Sequence, residues 1–333
     1  MLRALSFSFL CIGLLLGSAG GLDAAEFQSA WPADANRAWA GREFWTNPLQ
    51  DWRLRNGLLE CHVAGGDRNV FLLTREISAR PGDLDVSVTL GRLAGDRGPL
   101  GEGFVGFRIG IRGAFEDYRD SAVRGTGLDV GVAGDGRLFI GTLEDGAPRV
   151  SSLDRRLGLR LRAESTGSDY RLTLTATHEG GATVTLTREE IPSEWLTGGL
   201  ALVCHSGEMR ATPTPPEMLA GFGERWGTAR GGTFRFWFHG WRVSGSRIDE
   251  HPERAFGPIL FALHTLSHGV LKLTAQLAPL DEPSAVVSLE TRDVRGEWQP
   301  IATAPVDPLA RTATFRLADW DDSEDVPYRV VVS

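Results

Sequence analysis

The side chains best suited to bind a ligand lie on an alternating run near the middle of the chain. From residue 234 onward, phenylalanines alternate with three other residues, Arg235, Trp237 and His239. A strand there would turn the phenylalanines toward a core and these three toward the opposite face. Arg108 and Arg112, from a second alternating strand, and Tyr118 extend the set. An aromatic ring beside planar hydrogen-bonding groups suits a sugar; solvated arginines around a partly covered tryptophan are the alternative.

The segment from Phe115 to Asp120 is the most charge-dense polar cluster between strands. Glu116, Asp117 and Asp120 supply the oxygen ligands that Ca²⁺ prefers. Pairing of these carboxylates with Arg119 and Arg124 is the structural alternative. Two carboxylates can also hydrolyse a glycosidic bond, but the Glu-x-Asp-x-x-Glu signature of lectin-like glycosidases is absent from the sequence.

The two cysteines of the predicted first domain could be bonded or free. Cys61 and Cys204 lie in apolar strand contexts, where they either form a disulfide or remain free and buried. Each is followed by a histidine. Adjacent strand residues point to opposite faces, so neither Cys-His pair is expected to bind one zinc ion.

The first residues indicate export. Arg3 precedes a mostly apolar run from Ala4 to Leu16, and small residues follow it up to Ala25. This pattern predicts a signal peptide over 1–25 and a secreted or periplasmic protein. A membrane anchor is the alternative, but the run is shorter than the roughly 20 residues that a span needs. We therefore expect no transmembrane anchor after the leader is removed.

Composition narrows the class of protein. The chain has 333 residues and a net charge of −8. Because arginines alternate with acidic residues, no concentrated basic surface is expected, which argues against a nucleic-acid partner. The 41 glycines and the scarcity of helix-length periodic runs favour an all-β chain.

Period-2 alternation recurs along most of the chain and predicts stacked antiparallel sheets. We expect a sandwich over 26–246, with a bulge at Gly240 and a short helix from Pro192 to Leu196. The stretch 247–258 has the composition of a linker. Strands resume over 259–333, where we expect a small fibronectin-III-like sandwich. It has fewer strands than the roughly 7 of a complete one, so it is read as truncated.

Two segments carry a resemblance to a known family. They are GFRIGIRGAFEDYRDSAVRGTGLDVGV and the closing strand FRFWFHGWRVSG. Preceded by the leader and followed by a small β-domain that ends DWDDSEDVPYRVVVS, they are similar to the amino-terminal, lectin-like and fibronectin-III-like region of secreted alkaline phosphatase D and metallophosphoesterase-like proteins. The first domain more generally resembles a concanavalin-like jelly roll. The resemblance implies a catalytic phosphatase domain after such β-domains. However, the Gly-Asp-x-x-Asp and Gly-Asn-His motifs are absent, and the match to Asp-x-His at 249–251 lies in the linker, so no catalytic residue carries over.

Three functions follow from these observations. The first is an exported, non-catalytic accessory protein that binds a polysaccharide or a separate catalytic partner. The second is the amino-terminal fragment of a secreted phosphoesterase. The third is a glycan hydrolase built on the jelly roll. No cofactor is expected apart from the Ca²⁺ considered above.

Overall fold

The computed structural model describes residues 26–96, 98–115, 117–209, 233–280 and 285–332. Over these ranges the chain is nearly all β, and its sheets are antiparallel. The predicted leader and Glu116 lie outside the described residues. Among the helices of the described part, none combines the length and apolarity needed to span a membrane.

The first body is a sandwich of two large sheets. Its strands are β1 (Glu26–Gln28), β2 (Asn36–Arg37), β3 (Phe44–Asn47), β4 (Trp52–Arg55), β5 (Leu58–Cys61), β6 (Arg68–Leu72), β7 (Arg75–Ile77), β8 (Leu84–Arg92), β9 (Gly103–Arg112), β10 (Thr126–Ala133), β11 (Leu138–Ile140), β12 (Leu157–Ser165), β13 (Asp169–His178), β14 (Thr183–Pro192), β15 (Gly199–Ser206), β16 (Phe236–Ser244) and β17 (Ile248–Glu250).

The sandwich has the predicted concanavalin-like jelly-roll arrangement. A nine-stranded sheet has the order β14-β13-β12-β8-β16-β5-β4-β2, with β1 paired to β16. A six-stranded sheet has the order β11-β10-β9-β15-β6-β3. The alternating apolar residues of both sheets, such as Leu90 in β8 and Phe107 in β9, meet in one buried cluster. Burial of this apolar surface is the main driving force for the fold.

The structure confirms the local geometry predicted for β16. Phe234, Phe236 and Phe238 are buried in the core, and the residues between them face away. The register against β8 shifts between His239 and Arg242. Gly240 has a φ of 61° at this shift, a conformation that glycine adopts at little cost, so the bulge lies where it was predicted.

Two short α-helices connect strands. The predicted helix is observed as α2, Ser193–Leu196. The other, α1 (Tyr118–Arg124), was not predicted, because the charged cluster that begins it reads as a turn. Asp117 accepts a hydrogen bond from the backbone N–H of Arg119 at 2.8 Å and so caps α1. Short 3₁₀ turns occur at Leu49–Asp51 and Pro252–Arg254.

The stretch predicted as a linker is packed against the first sandwich. Its strand β17 pairs with β7, and Arg247 just before it is fully buried. The Asp-x-His triplet at 249–251 is held in surface ion pairs. Asp249 pairs with Arg80, and Nδ1 of His251 lies 3.1 Å from Glu253.

A second body follows with its own apolar cluster, which includes Leu273, Val287 and Phe315. Its strands are β18 (Ile259–Ser267), β19 (Val270–Leu277), β20 (Val286–Arg292), β21 (Trp298–Pro305), β22 (Thr312–Leu317) and β23 (Tyr328–Val332). They form two three-stranded sheets, β18-β19-β22 and β21-β20-β23. The fibronectin-III-like assignment stays a prediction, and so do the domain boundaries.

Candidate functional site

The six predicted ligand-binding residues do not lie together. Arg235, Trp237 and His239 lie on or beside β16 of the nine-stranded sheet, whereas Arg108 and Arg112 lie on β9 of the six-stranded sheet. The two sheets are stacked, and their outward-facing side chains point in opposite directions. The expectation of one shared site is therefore corrected to two separate places.

The first place is the outer face of the nine-stranded sheet around Trp237. Trp237 is half-buried there, and its indole ring lies directly on Gly91 of β8. A Cβ added at Gly91 would overlap the ring, so glycine is what lets the indole lie flat. The guanidinium carbon of Arg156, an exposed residue, is 5.9 Å from the ring centroid.

Planar polar groups border this ring. Glu60 of β5 pairs directly with Trp237 in the register, and its carboxylate lies 3.0 Å from Nε2 of His62. Arg53 of β4 lies opposite Glu60 on the next strand. We call the surface formed by Arg53, Glu60, His62, Arg156 and Trp237 the Trp237 face. It presents an aromatic ring, a carboxylate, an imidazole and two guanidinium groups to one side of the sheet.

Arg235, just before β16, and His239, within it, mainly make structural contacts. Arg235 donates two hydrogen bonds to Asp96, which raise the pKa of the guanidinium, and one to the carbonyl of His62 at 3.1 Å. His239 is exposed, and its Nδ1 donates to the carbonyl of Gly57 at 2.9 Å. Arg235 therefore holds the backbone of His62 in the Trp237 face, whereas His239 is bonded to the turn between β4 and β5.

The second place is a buried ion-pair cluster on the outer face of the six-stranded sheet. Arg108 is 3% exposed. Its Nε donates to Asp129 at 2.6 Å, and one terminal nitrogen donates to Asp67 at 2.6 Å. Burial opposes the charge, yet the two carboxylates hold the pKa of Arg108 above its usual value. With its guanidinium so engaged and covered, Arg108 is not an open sugar-binding group.

Amide and aromatic side chains continue this cluster along the sheet. Asn47 donates to Asn69 at 2.9 Å, and Asn69 donates to the carbonyl of Asp67 at 3.0 Å. Trp45, 37% exposed, donates to Asn47 at 2.8 Å. Apolar clusters lie on both sides of this polar stripe, one beneath α1 and one around Phe104. The stripe therefore ties the strands together in a partly desolvated setting.

His205 belongs to the same cluster. Its Nδ1 accepts from the backbone N–H of Asp67 at 3.0 Å, so Nε2 carries the proton and donates to the carbonyl of Glu208 at 3.2 Å. The ring stacks on Phe104 with centroids 5.4 Å apart. Burial lowers the pKa of His205, although nearby Asp67 acts in the opposite direction. The neutral imidazole is the form that fits both hydrogen bonds.

This geometry predicts an acid-sensitive fold. The pKa of His205 is lower in the folded chain than in the unfolded one, so the unfolded chain binds more protons below about pH 6.5. Stability should therefore fall as the pH drops through that value. Thermal melts of the wild type and of His205→Asn between pH 7.5 and 5 check this. The wild type should lose more stability on acidification than the variant; equal losses would contradict the assignment.

The remaining predicted site residues lie near α1. Tyr118 begins α1. The guanidinium carbons of Arg254 and Arg119 lie 4.8 Å and 5.6 Å from the centroid of its ring. Arg112 donates to the carbonyl of Glu194 at 2.9 Å. These contacts join α1 to the 3₁₀ turn Pro252–Arg254 and β9 to α2, and none of them involves Trp237.

Asp117 and Asp120, two of the three acidic residues proposed for Ca²⁺, have other partners. Asp117 caps α1 and pairs with Arg119 at 2.8 Å, which is the pairing alternative stated above. Asp120 accepts from the backbone N–H of Phe115 at 3.3 Å. No group of three or more His, Cys, Asp or Glu side chains is placed to hold a metal ion in the described part of the chain.

Two cavities lie at the junction between the two bodies. One of about 890 Å³ is lined by Trp39 and Phe44, by the charged residues Arg42, Glu43, Arg75 and Glu250, and by Leu280 of the second body. The other, about 370 Å³, is lined by Arg53 and His62 of the Trp237 face. Arg37 and Leu280 line both cavities. The Trp237 face therefore adjoins a groove that runs along the junction.

Among solved structures, this chain is similar to several lectins. No protein-family model and no curated protein matches the sequence. A seed lectin of Lotus tetragonolobus is similar over 68% of this chain and 100% of its own, at 13% identity and a TM-score of 0.41. Lectin I-B4 of Griffonia simplicifolia, in its metal-free form, is similar over 67% and 99%, at 10% identity and a TM-score of 0.38.

A third likeness is to the exoplasmic/lumenal domain of VIP36 in its Ca²⁺-bound form. It covers 65% of this chain and 89% of that one, at 11% identity and a TM-score of 0.35. Identities and TM-scores this low identify neither a family nor a ligand for this chain. The jelly-roll assignment stands on the sheets themselves.

Proposed function

We propose that this protein is an exported, non-catalytic carbohydrate-binding protein that holds a chain-like saccharide on the Trp237 face. The observation that carries the proposal is the half-buried indole of Trp237, which lies flat on Gly91 on a polar outer face. A sugar ring presents C–H groups on its face and hydroxyls at its rim. An indole bordered by carboxylate, imidazole and guanidinium groups matches both.

A chain-like ligand is favoured over a single sugar by the surroundings of Trp237. The side chains of Arg53 and His62 belong both to the Trp237 face and to the smaller junction cavity, which shares Arg37 with the larger one. Successive sugar units can therefore occupy the open face and the groove beside it. Export itself rests on the predicted leader over 1–25.

A glycan array tests this proposal. The purified chain should bind a subset of the arrayed polysaccharides and long oligosaccharides, and more weakly or not at all their monosaccharides. The absence of a binding signal across plant, fungal and bacterial polysaccharides would contradict the proposal.

The relation to alkaline phosphatase D-like proteins stays a prediction. It is tested by the coding sequence next to this one. A following reading frame with Gly-Asp-x-x-Asp and Gly-Asn-His motifs would support an accessory role beside a phosphoesterase domain. Its absence would leave carbohydrate binding as the function to test.

A further inference from the structure

The two cysteines of the first sandwich meet across its core. Cys61 is the last residue of β5 in the nine-stranded sheet, and Cys204 lies in β15 of the six-stranded sheet. Both are 0% exposed and belong to the same buried cluster. Both are free thiols in the structure, so the predicted disulfide is not formed there, and Cys204 is close enough to Cys61 to raise the pKa of its thiol by hydrogen bonding. Residues far apart in sequence are thus placed as a facing pair of thiols.

Their surroundings hold both side chains in place. The Sγ of Cys61 donates to the carbonyl of Val63 at 3.5 Å, and the Sγ of Cys204 donates to the carbonyl of Phe234 at 3.6 Å. Arg68, which pairs with Cys204 in the register, forms a buried ion pair with Asp51 at 2.9 Å. Each thiol is therefore held by a backbone carbonyl on its own side of the core.

We propose that Cys61 and Cys204 form a disulfide that joins the two sheets of the sandwich. The bond forms by exchange with a disulfide oxidant, such as a thiol-disulfide oxidoreductase or oxidised glutathione, in the exported compartment. The thiolate of one cysteine attacks the oxidant and releases its first thiol. The thiolate of the other cysteine then displaces the second. The two cysteines lose two protons and two electrons, and the oxidant is reduced to two thiols.

The timing of this reaction follows from the burial of the pair. In the folded, reduced chain, burial and the neighbouring Cys204 raise the pKa of the Cys61 thiol, although Arg68 acts in the opposite direction. The thiolate is the nucleophile in exchange, so the closed sandwich should react slowly. The bond therefore forms during folding, before the two sheets close over the cysteines.

The test compares refolding with treatment of the folded chain. The full chain is refolded from denaturant with reduced and oxidised glutathione and then mapped by proteolysis and mass spectrometry without reduction. We expect a cross-linked peptide pair that contains Cys61 and Cys204, lighter than the two reduced peptides by two hydrogens. The same oxidant added to the folded, reduced chain should give this pair far more slowly.

A thermal melt supplies a second measurement. Reduction of the refolded wild type should lower its midpoint of unfolding by about 10 °C, since a disulfide that closes a long loop limits the unfolded chain. The double variant Cys61→Ala/Cys204→Ala is the matched control, and its midpoint should not respond to the reductant. Recovery of both cysteines as free thiols after refolding in the glutathione buffer would overturn the proposal, whatever the variant does.

Discussion

Replacing Arg108 by methionine should lower the free energy of unfolding by about 3–5 kcal/mol. Asp67 and Asp129 both hydrogen-bond to this guanidinium, and their side chains are each only 12% exposed. Without Arg108, two neighbouring carboxylates would be left with little access to water and no shared cation. Methionine keeps much of the volume of the arginine stem, so the loss of stability mainly measures the effect of removing the positive charge. Urea unfolding followed by circular dichroism measures it.

Arg160→Met is the matched control for this change. Arg160 also pairs with an aspartate, Asp85, but their side chains are 49% and 27% exposed. An ion pair so open to water contributes about 0–1 kcal/mol. A loss of the same size in both variants would contradict the assignment of the Arg108 cluster as a desolvated structural centre.

Much of the fold could be predicted from the sequence because strand alternation is a local signal. The Phe234–Phe236–Phe238 alternation and the Gly240 bulge appear as predicted. The pairing of Arg108 with Asp129 also had a signal, since both are polar positions on alternating strands that proved to be neighbours. Only the register of β9 against β10 brings the two together, and the sequence of one strand alone does not determine that register.

The candidate site was harder to predict because it depends on which sheet each strand joins. Alternation separates the inner from the outer face of a strand, yet it does not distinguish one outer face from the other. Arg112 and Trp237 were therefore grouped, although the structure places them on different sheets. Helix α1 was missed because its cap, Asp117, also suits a turn or a metal site.

Replacing Trp237 by alanine should weaken saccharide binding about 10- to 100-fold. The variant removes the aromatic surface over Gly91 while leaving the β16 backbone and its core phenylalanines in place. Since the ring lies on the outer face, the midpoint of unfolding should change little. Gly91→Ala gives an independent check, because its methyl group would push the intact indole off its position and should also weaken binding.

Trp298→Ala is the matched control for Trp237→Ala. Trp298 is likewise a half-buried strand tryptophan beside arginines, with Arg329 4.6 Å from its ring, but it lies in the second body. Isothermal titration of the wild type and both variants, with the strongest glycan from the array, tests the central claim most directly. We predict a 10- to 100-fold rise in Kd for Trp237→Ala and an unchanged Kd for Trp298→Ala. Equal affinity of the wild type and Trp237→Ala would contradict the account.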